Sequence, residues 1–405
     1  MVLPASIAWH HGHVRVLIAP DSFGGSLTAG QAADAIAAGW GLSAPWDDLT
    51  LMPLSDGGPG FFDILSRALG GTTISVTVSD PLGRPVPAAI LMVDVGGRRT
   101  AYIESAQACG LHLLAQGERN PLVTTTHGVG QLIEAALSEG AIRVVVGLGG
   151  SGTNDGGAGL LAALGTGDAG ALSAGGGRLG QLGDDALAGL PLVCERLQST
   201  EVVLATDVDS PLLGFHGASA VFGPQKGATP EMTQELEFAL GRFTEVARRG
   251  LPPGRDLLTG KERRLEREPG AGAAGGLGYA LLLLGGRRVS GAQAVLDAVA
   301  FETQVEAADL VVTGEGTFDW QSLQGKVVSE VAKAAQARAK PVVVIAGQTQ
   351  VGRRETMALG ISGTYAVAQD PVQVAAALAD PAGTLSSRSR RVAATWSPGS
   401  KLTYP

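Results

Sequence analysis

Four short runs of almost purely apolar, mostly β-branched residues constrain this chain more than any other feature. They are Val14–Pro20, Ile142–Gly149, Asp309–Gly316 and Pro341–Gly347, and most close on glycine. Runs of this kind lack the alternation of a half-exposed strand. They fit strands covered on both faces, as in a parallel sheet. Patterns of helical period separate or follow them, at Ala29–Gly39, Gly130–Glu139, Ala158–Leu164 and Val327–Ala339. That alternation predicts an open α/β sheet with crossover helices. The stretch Thr72–Glu104 behaves differently. It alternates polar and apolar residues, with turn chemistry at Asp80–Gly83 and Gly96–Gly97, and predicts antiparallel hairpins belonging to a second, α+β module.

A chain of 405 residues, 45% of them hydrophobic, has material for two or three domains. Its 60 glycines suit an α/β protein rich in tight turns. The formal charge of −8 gives no general attraction to nucleic acid. Cys109 and Cys194 are too few for a disulfide framework or a metal cluster, which fits a reducing cytosol. The first residues carry no signal-peptide pattern, and the apolar run ending at Leu281–Gly286 is too short to span a bilayer. The expectation is a soluble, cytoplasmic protein with no membrane partner. The Gly-rich stretch Ala169–Gly180 reads as a loop, and the residues after Pro381 read as a poorly ordered tail.

Open α/β sheets bind ligands beyond the carboxyl ends of their strands, so the residues just after each run are the first candidates. Asp21 and Ser22 follow the first strand, ahead of a Gly/Ser loop; a carboxylate there either holds a metal or orients a hydroxyl, or else caps a helix. Asp56 lies in LSDGGPG, a second candidate carboxylate or a tight turn. The segment GLGGSGTNDGG at Gly147–Gly157 leaves a strand and enters a helix, so its backbone N–H groups and the helix dipole favour an anion. Gly149, Gly150, Ser151, Asn154 and Asp155 are its binding candidates. Gly147, Gly149 and Gly152 also match G-x-G-x-x-G, but no strand-end acid follows at the spacing a dinucleotide site needs. Asp207 and Asp209, two residues apart near a strand end, suit Mg²⁺, with a solvated turn as the alternative. Lys226 stands in a Gly/Pro-framed loop where an ammonium could neutralise phosphate. TGEGTFDWQSLQGK at Thr313–Lys326 concentrates Glu315, Asp319, Ser322 and Lys326 without forming a P-loop. Carboxylates and lysines spread over several strand ends could supply the metal, the positive charge and the orienting group that phosphoryl transfer needs.

Taken in order, the motifs resemble the bacterial glycerate kinase family over roughly Val16 to Gly347. They are IAPDSF at Ile18–Phe23, SDGGPG at Ser55–Gly60, NPLVTTTHGVG at Asn120–Gly130, GLGGSGTNDGGAG at Gly147–Gly159, DVDSPLLG at Asp207–Gly214, GASAVFGPQKGATPEM at Gly217–Met232, PGAGAAGGLGYAL at Pro269–Leu281 and TGEGTFDWQSLQGK. The resemblance implies a Rossmann-like parallel-sheet domain and a second α+β domain, with the active site in the cleft between them. The expected division assigns 14–71, 120–165 and 290–380 to the first, 72–119 and 166–289 to the second, and 381–405 to a tail. It implies transfer of the γ-phosphoryl group of ATP to glycerate, commonly giving 2-phosphoglycerate. On matching positions, Asp21, Asp56 or Asp319 would orient the attacking hydroxyl. Asp207 and Asp209 would hold Mg²⁺. Ser22, Gly149, Gly150, Ser151, Asn154, Asp155, Lys226, Glu315 and Lys326 would bind substrate or phosphate.

The chain departs from the family pattern at three charged positions. Gly24 stands where a lysine is usual, Pro59 replaces an acid, and Thr317 replaces an arginine. Groups of that kind act mainly through transition-state electrostatics. The alternative to an active kinase is therefore a degenerate paralogue that binds ligand without turnover.

Overall fold

The computed structural model describes residues 13–252, 254–255, 260–323 and 325–397. In chain order the strands are β1 (Arg15–Ile18), β2 (Asp48–Leu51), β3 (Thr72–Ser79), β4 (Pro85–Val95), β5 (Arg98–Glu104), β6 (Arg143–Gly147), β7 (Glu201–Ala205), β8 (Arg287–Val289), β9 (Leu310–Thr313), β10 (Thr317–Phe318), β11 (Val342–Ala346), β12 (Gln348–Thr349) and β13 (Ile361–Ala366). The chain divides into two compact units, one of residues up to Asp56 together with those from Val295 on, the other Gly57–Ala294.

The first unit holds a five-stranded sheet in the order β13-β11-β9-β1-β2, every pair parallel. Chain order runs outward in opposite directions from the β1/β9 boundary, which makes that boundary a topological switch point. The central strands β9 and β11 are wholly buried, and β1 is buried from Val16 on, which explains their uninterrupted Val/Ile character. Helix Ala29–Ser43 is opened by a capping box, in which Thr28 Oγ1 accepts from the Gln31 N–H at 3.2 Å and the Gln31 side chain accepts from the Thr28 N–H at 2.9 Å.

The residues expected to form a loose tail are instead helix Pro381–Trp396, which packs on Ala29–Ser43. Leu385, Ser389, Val392 and Ala393 form its buried stripe, and Ser389 Oγ donates to the Ile36 carbonyl at 2.7 Å. Gly39 permits the approach, since a Cβ there would lie 2.0 Å from the Ser386 carbonyl oxygen. Serine and alanine on the buried stripe hide its helical period from a reading of hydrophobicity. Residues 398–405 of the expected tail lie outside the described residues.

The second unit holds a six-stranded mixed sheet, β3-β4-β5-β6-β7-β8. The pairs β3/β4 and β4/β5 are antiparallel, as the hairpin signals predict, and β5 to β8 run parallel. Its position corrects the expected domain limits: β6 belongs here, between β5 and β7, so 57–71 and 120–165 fall within the second unit. A buried parallel strand carries no local mark of which sheet it joins, because its pairing partners are distant in sequence. The presumed loop Ala169–Gly180 contains a helical turn at Ala169–Leu172, capped by Asp168, and most of a 3₁₀ stretch at Gly176–Gln181.

Candidate functional site

In the first unit, Ile18 of β1 is in register with both Leu51 of β2 and Val312 of β9. Asp21 and Glu315 therefore each lie three residues past a shared row, at the switch point. Backbone bonds hold them there: the Asp21 N–H donates to the Gly314 carbonyl at 2.8 Å, and the Leu54 N–H donates to the Pro20 carbonyl at 2.9 Å, two residues before Asp56. Glu315 is buried, and its Oε1 has no hydrogen-bond partner. Burial pushes its carboxyl up to about 7, against the Ser322 hydroxyl and Lys326, with Asp319 and Asp56 adding repulsion. The Asp21 carboxyl is held well above the usual carboxylate range, first by burial and then by Asp56, while Glu315 adds to the rise and Lys326 opposes it. One of its oxygens accepts from the Ser22 N–H at 2.6 Å. Lys326 occupies the position just before helix Val327–Gln336, with no capping hydrogen bond from its side chain. The structure thus assembles Asp21, Asp56, Glu315 and Lys326 into one electrostatically coupled group, with Ser22 on its first loop.

Asp319 stands at the edge of this group. Its Oδ1 closes a turn, accepting from the N–H groups of Gln321 at 2.8 Å and Ser322 at 3.2 Å. Ser322 was absent from the expected binding residues, although it lies within the same motif. The lysine missing at Gly24 leaves an open position, since a Cβ there would meet nothing within 4 Å, but the backbone sits at φ +53°. Thr317 lies in β10, paired with Gln348 of β12.

In the second unit the expected anion-binding turn is occupied by the protein itself. Asp155 is fully buried beneath Gly149–Gly157, and both its oxygens are satisfied. They accept from the Thr126 N–H at 2.8 Å, the Thr126 hydroxyl at 2.9 Å, the Gly157 N–H at 3.0 Å and the Gly159 N–H at 3.2 Å. The Leu160 N–H donates to Thr126 Oγ1 at 3.1 Å. The N–H groups and partial positive charge of the following helix start, Ala158–Ala163, are therefore met by an internal carboxylate. This corrects the reading of Asp155 as a ligand contact. Thr126 is the residue that reading missed, within the three-threonine run Thr124–Thr126.

Gly149 and Gly150 are likewise explained by packing. A Cβ on Gly149 would lie 2.5 Å from Gly58 Cα, and one on Gly150 would lie 2.6 Å from Pro59 Cγ. Close backbone approach, with φ +64° at Gly150, requires glycine here without any ligand. Pro59 is part of that contact. Glu104, which the sequence did not single out, accepts from the N–H groups of Gly60 at 3.1 Å and Phe62 at 3.0 Å and fixes the loop's entry into helix Phe61–Leu69.

Lys226 is also displaced from its expected role. It is buried, and its Nζ donates to Ser151 Oγ at 2.9 Å and to the Thr153 carbonyl at 2.7 Å. Burial lowers its pKa to about 8, while Cys109 and Asp155 oppose the fall. Asn154 is buried, donates to Ser219 Oγ at 2.9 Å, and leaves its Oδ1 without a partner; Thr153 Oγ1 is unpartnered as well.

The expected metal pair does not converge. Asp207 accepts from the N–H groups of Gly291 at 3.0 Å and Ala292 at 3.1 Å, capping helix Gly291–Ala298. Asp209 is exposed and pairs with Arg288 at 2.7 Å. Residues two apart share a face only while the backbone stays in a strand; β7 ends at Ala205, and beyond it the two carboxylates take different partners.

The family profile described as the glycerate kinase family matches residues 16–397. A glycerate kinase of Bacillus subtilis is 42% identical over 388 residues, covering 94% of this chain and 97% of that protein. A glycerate 2-kinase of Escherichia coli is 40% identical over 339 residues, covering 82% of this chain and 85% of its own length. A crystal structure from Salmonella typhimurium, provisionally assigned as glycerate kinase 2, superposes with a TM-score of 0.72 at 38% identity, covering 96% of this chain and all of that one.

Proposed function

We propose that this chain, which belongs to the glycerate kinase family, transfers the γ-phosphoryl group of ATP to a hydroxyl of glycerate and yields 2-phosphoglycerate. The observation that carries this reading is the cluster of Asp21, Asp56 and Glu315 at the switch point, with Lys326 beside it. Burial first, and then repulsion from neighbouring carboxylates, favours the protonated forms of Asp21 and Glu315. A divalent cation relieves the same repulsion, and the unpartnered Glu315 Oε1 is a hard oxygen of the kind Mg²⁺ accepts. Asp56 and Glu315 would hold that Mg²⁺, which when bound neutralises charge on the ATP phosphates.

Asp21 accepts a hydrogen bond from the attacking hydroxyl and orients it, with its own carboxylate fixed by the Ser22 N–H. Lys326 offers a compact positive charge to phosphate oxygens. In the second unit, Ser151 and Asn154 offer polar contacts to an anionic group of a substrate. Two free cysteines accord with a cytoplasmic setting. Among the described residues no helix is long and apolar enough to cross a membrane.

The test is ATP consumption by the purified protein with D-glycerate and Mg²⁺, the product being identified by phosphorus NMR. Formation of 2-phosphoglycerate supports the proposal. Nucleotide binding without turnover on glycerate or related hydroxy acids would overturn it and favour a degenerate paralogue.

A further inference from the structure

A lysine ammonium has three donors and no acceptor. A hydroxyl that receives one of those donors is fixed as an acceptor on that side, and its own proton must go elsewhere. Ser151 is in this position: Lys226 Nζ donates to its Oγ at 2.9 Å while anchored on the Thr153 carbonyl at 2.7 Å. Among the described residues no side chain or carbonyl accepts the Ser151 proton. Both residues are buried, Lys226 at 1% exposed and Ser151 at 6%, so the serine keeps the larger share of accessible surface.

We propose that Lys226 is a positioning residue: it fixes the Ser151 hydroxyl as a hydrogen-bond donor toward an anionic oxygen of substrate, either the glycerate carboxylate or an ATP phosphate. This rests on the kinase reading. It differs from direct phosphate contact by Lys226, which the burial of Nζ disfavours. The charged and titratable groups facing Lys226 are Cys109 and Asp155. Burial pushes the Cys109 thiol up to about 12, so it stays neutral. Asp155 is committed to the helix start.

The arrangement has a consequence that a purely structural lysine would lack. Below about pH 8 the ammonium enforces the polarity of Ser151. Above it the neutral amine acquires a lone pair and competes with substrate for the serine proton. The fully ionised substrates change little over that range.

The experiment measures KM separately for glycerate and for ATP between about pH 7 and pH 9.5 in the wild type, Ser151→Ala, Lys226→Met and Lys226→Arg. Wild-type turnover is established first; its absence refutes the kinase reading and not this one. With turnover present, one substrate's KM should rise about tenfold through pH 8, the scale of one charge-assisted hydrogen bond. The substrate affected identifies the anion. Ser151→Ala should have a raised KM that no longer varies with pH, and Lys226→Met the same if it folds. Lys226→Arg, charged throughout, should keep a flat profile near the wild-type low-pH value. A pH dependence that survives in Ser151→Ala would overturn the proposal, because Lys226 would then act on substrate directly. A KM for both substrates left unchanged by Ser151→Ala would overturn it equally.

Discussion

Replacing Asp155 by asparagine separates an internal carboxylate from a ligand contact. The side chains have nearly the same shape, so the change removes charge and one acceptor without opening a cavity. The cheaper orientation places the amide nitrogen at the Oδ1 position, where it faces the Gly157 N–H now 3.0 Å away and leaves that donor unpaired. An unpaired buried N–H costs about 1–3 kcal/mol. The remaining oxygen keeps the Thr126 and Gly159 N–H groups, but as a neutral acceptor of roughly half the strength. Burial already holds the Asp155 carboxyl above its usual range, so losing the charge offsets part of this and the net loss is about 1–3 kcal/mol. With a urea m-value of about 3 kcal/mol/M, the unfolding midpoint of the second unit falls by about 0.3–1 M. All five tryptophans lie outside residues 57–294, so indole fluorescence follows the first unit alone, while far-UV circular dichroism follows both. The early transition is expected in circular dichroism, with the fluorescence midpoint unmoved. A loss below about 1 kcal/mol together with a raised KM would refute the reasoning and restore Asp155 as a ligand contact.

Asp207→Ala removes a helix cap and should cost about 1–2 kcal/mol in urea unfolding; its Mg²⁺ dependence of turnover should match the wild type, and a selective rise in the Mg²⁺ requirement would count against the capping role. The Glu315 carboxyl is raised to about 7, so protons compete with the cation below that pH. The apparent Mg²⁺ affinity should fall by up to about tenfold per pH unit below pH 7, and a Mg²⁺ titration of activity at about pH 6 and pH 8 that gave equal midpoints would exclude Glu315 as its ligand. In the same protein, raised acid pKa values make folding take up protons. The Glu315 contribution to stability is therefore least unfavourable at low pH and worsens as pH rises from the ordinary carboxylate range to about 7.

Sequence by itself determined the buried strands β1, β6, β9 and β11, the hairpins β3–β5, and the placement of Asp21 and Glu315 at strand ends. These follow from local pattern: a strand covered on both faces must be apolar throughout, and the next polar residue marks its end. Eight motifs in one order also carried the family resemblance. Only the tertiary structure decided which sheet β6 joins, because its partners β5 and β7 lie 43 and 58 residues away along the chain, beyond the reach of local pattern. It also decided what each polar side chain faces. Asp155, Asp207 and Glu315 are all acids in segments that follow buried strands, yet one fills a helix start, one caps a helix and one keeps an unpartnered oxygen. The sequence specifies the carboxylate; the donors folded against it decide whether any valence is left for a ligand.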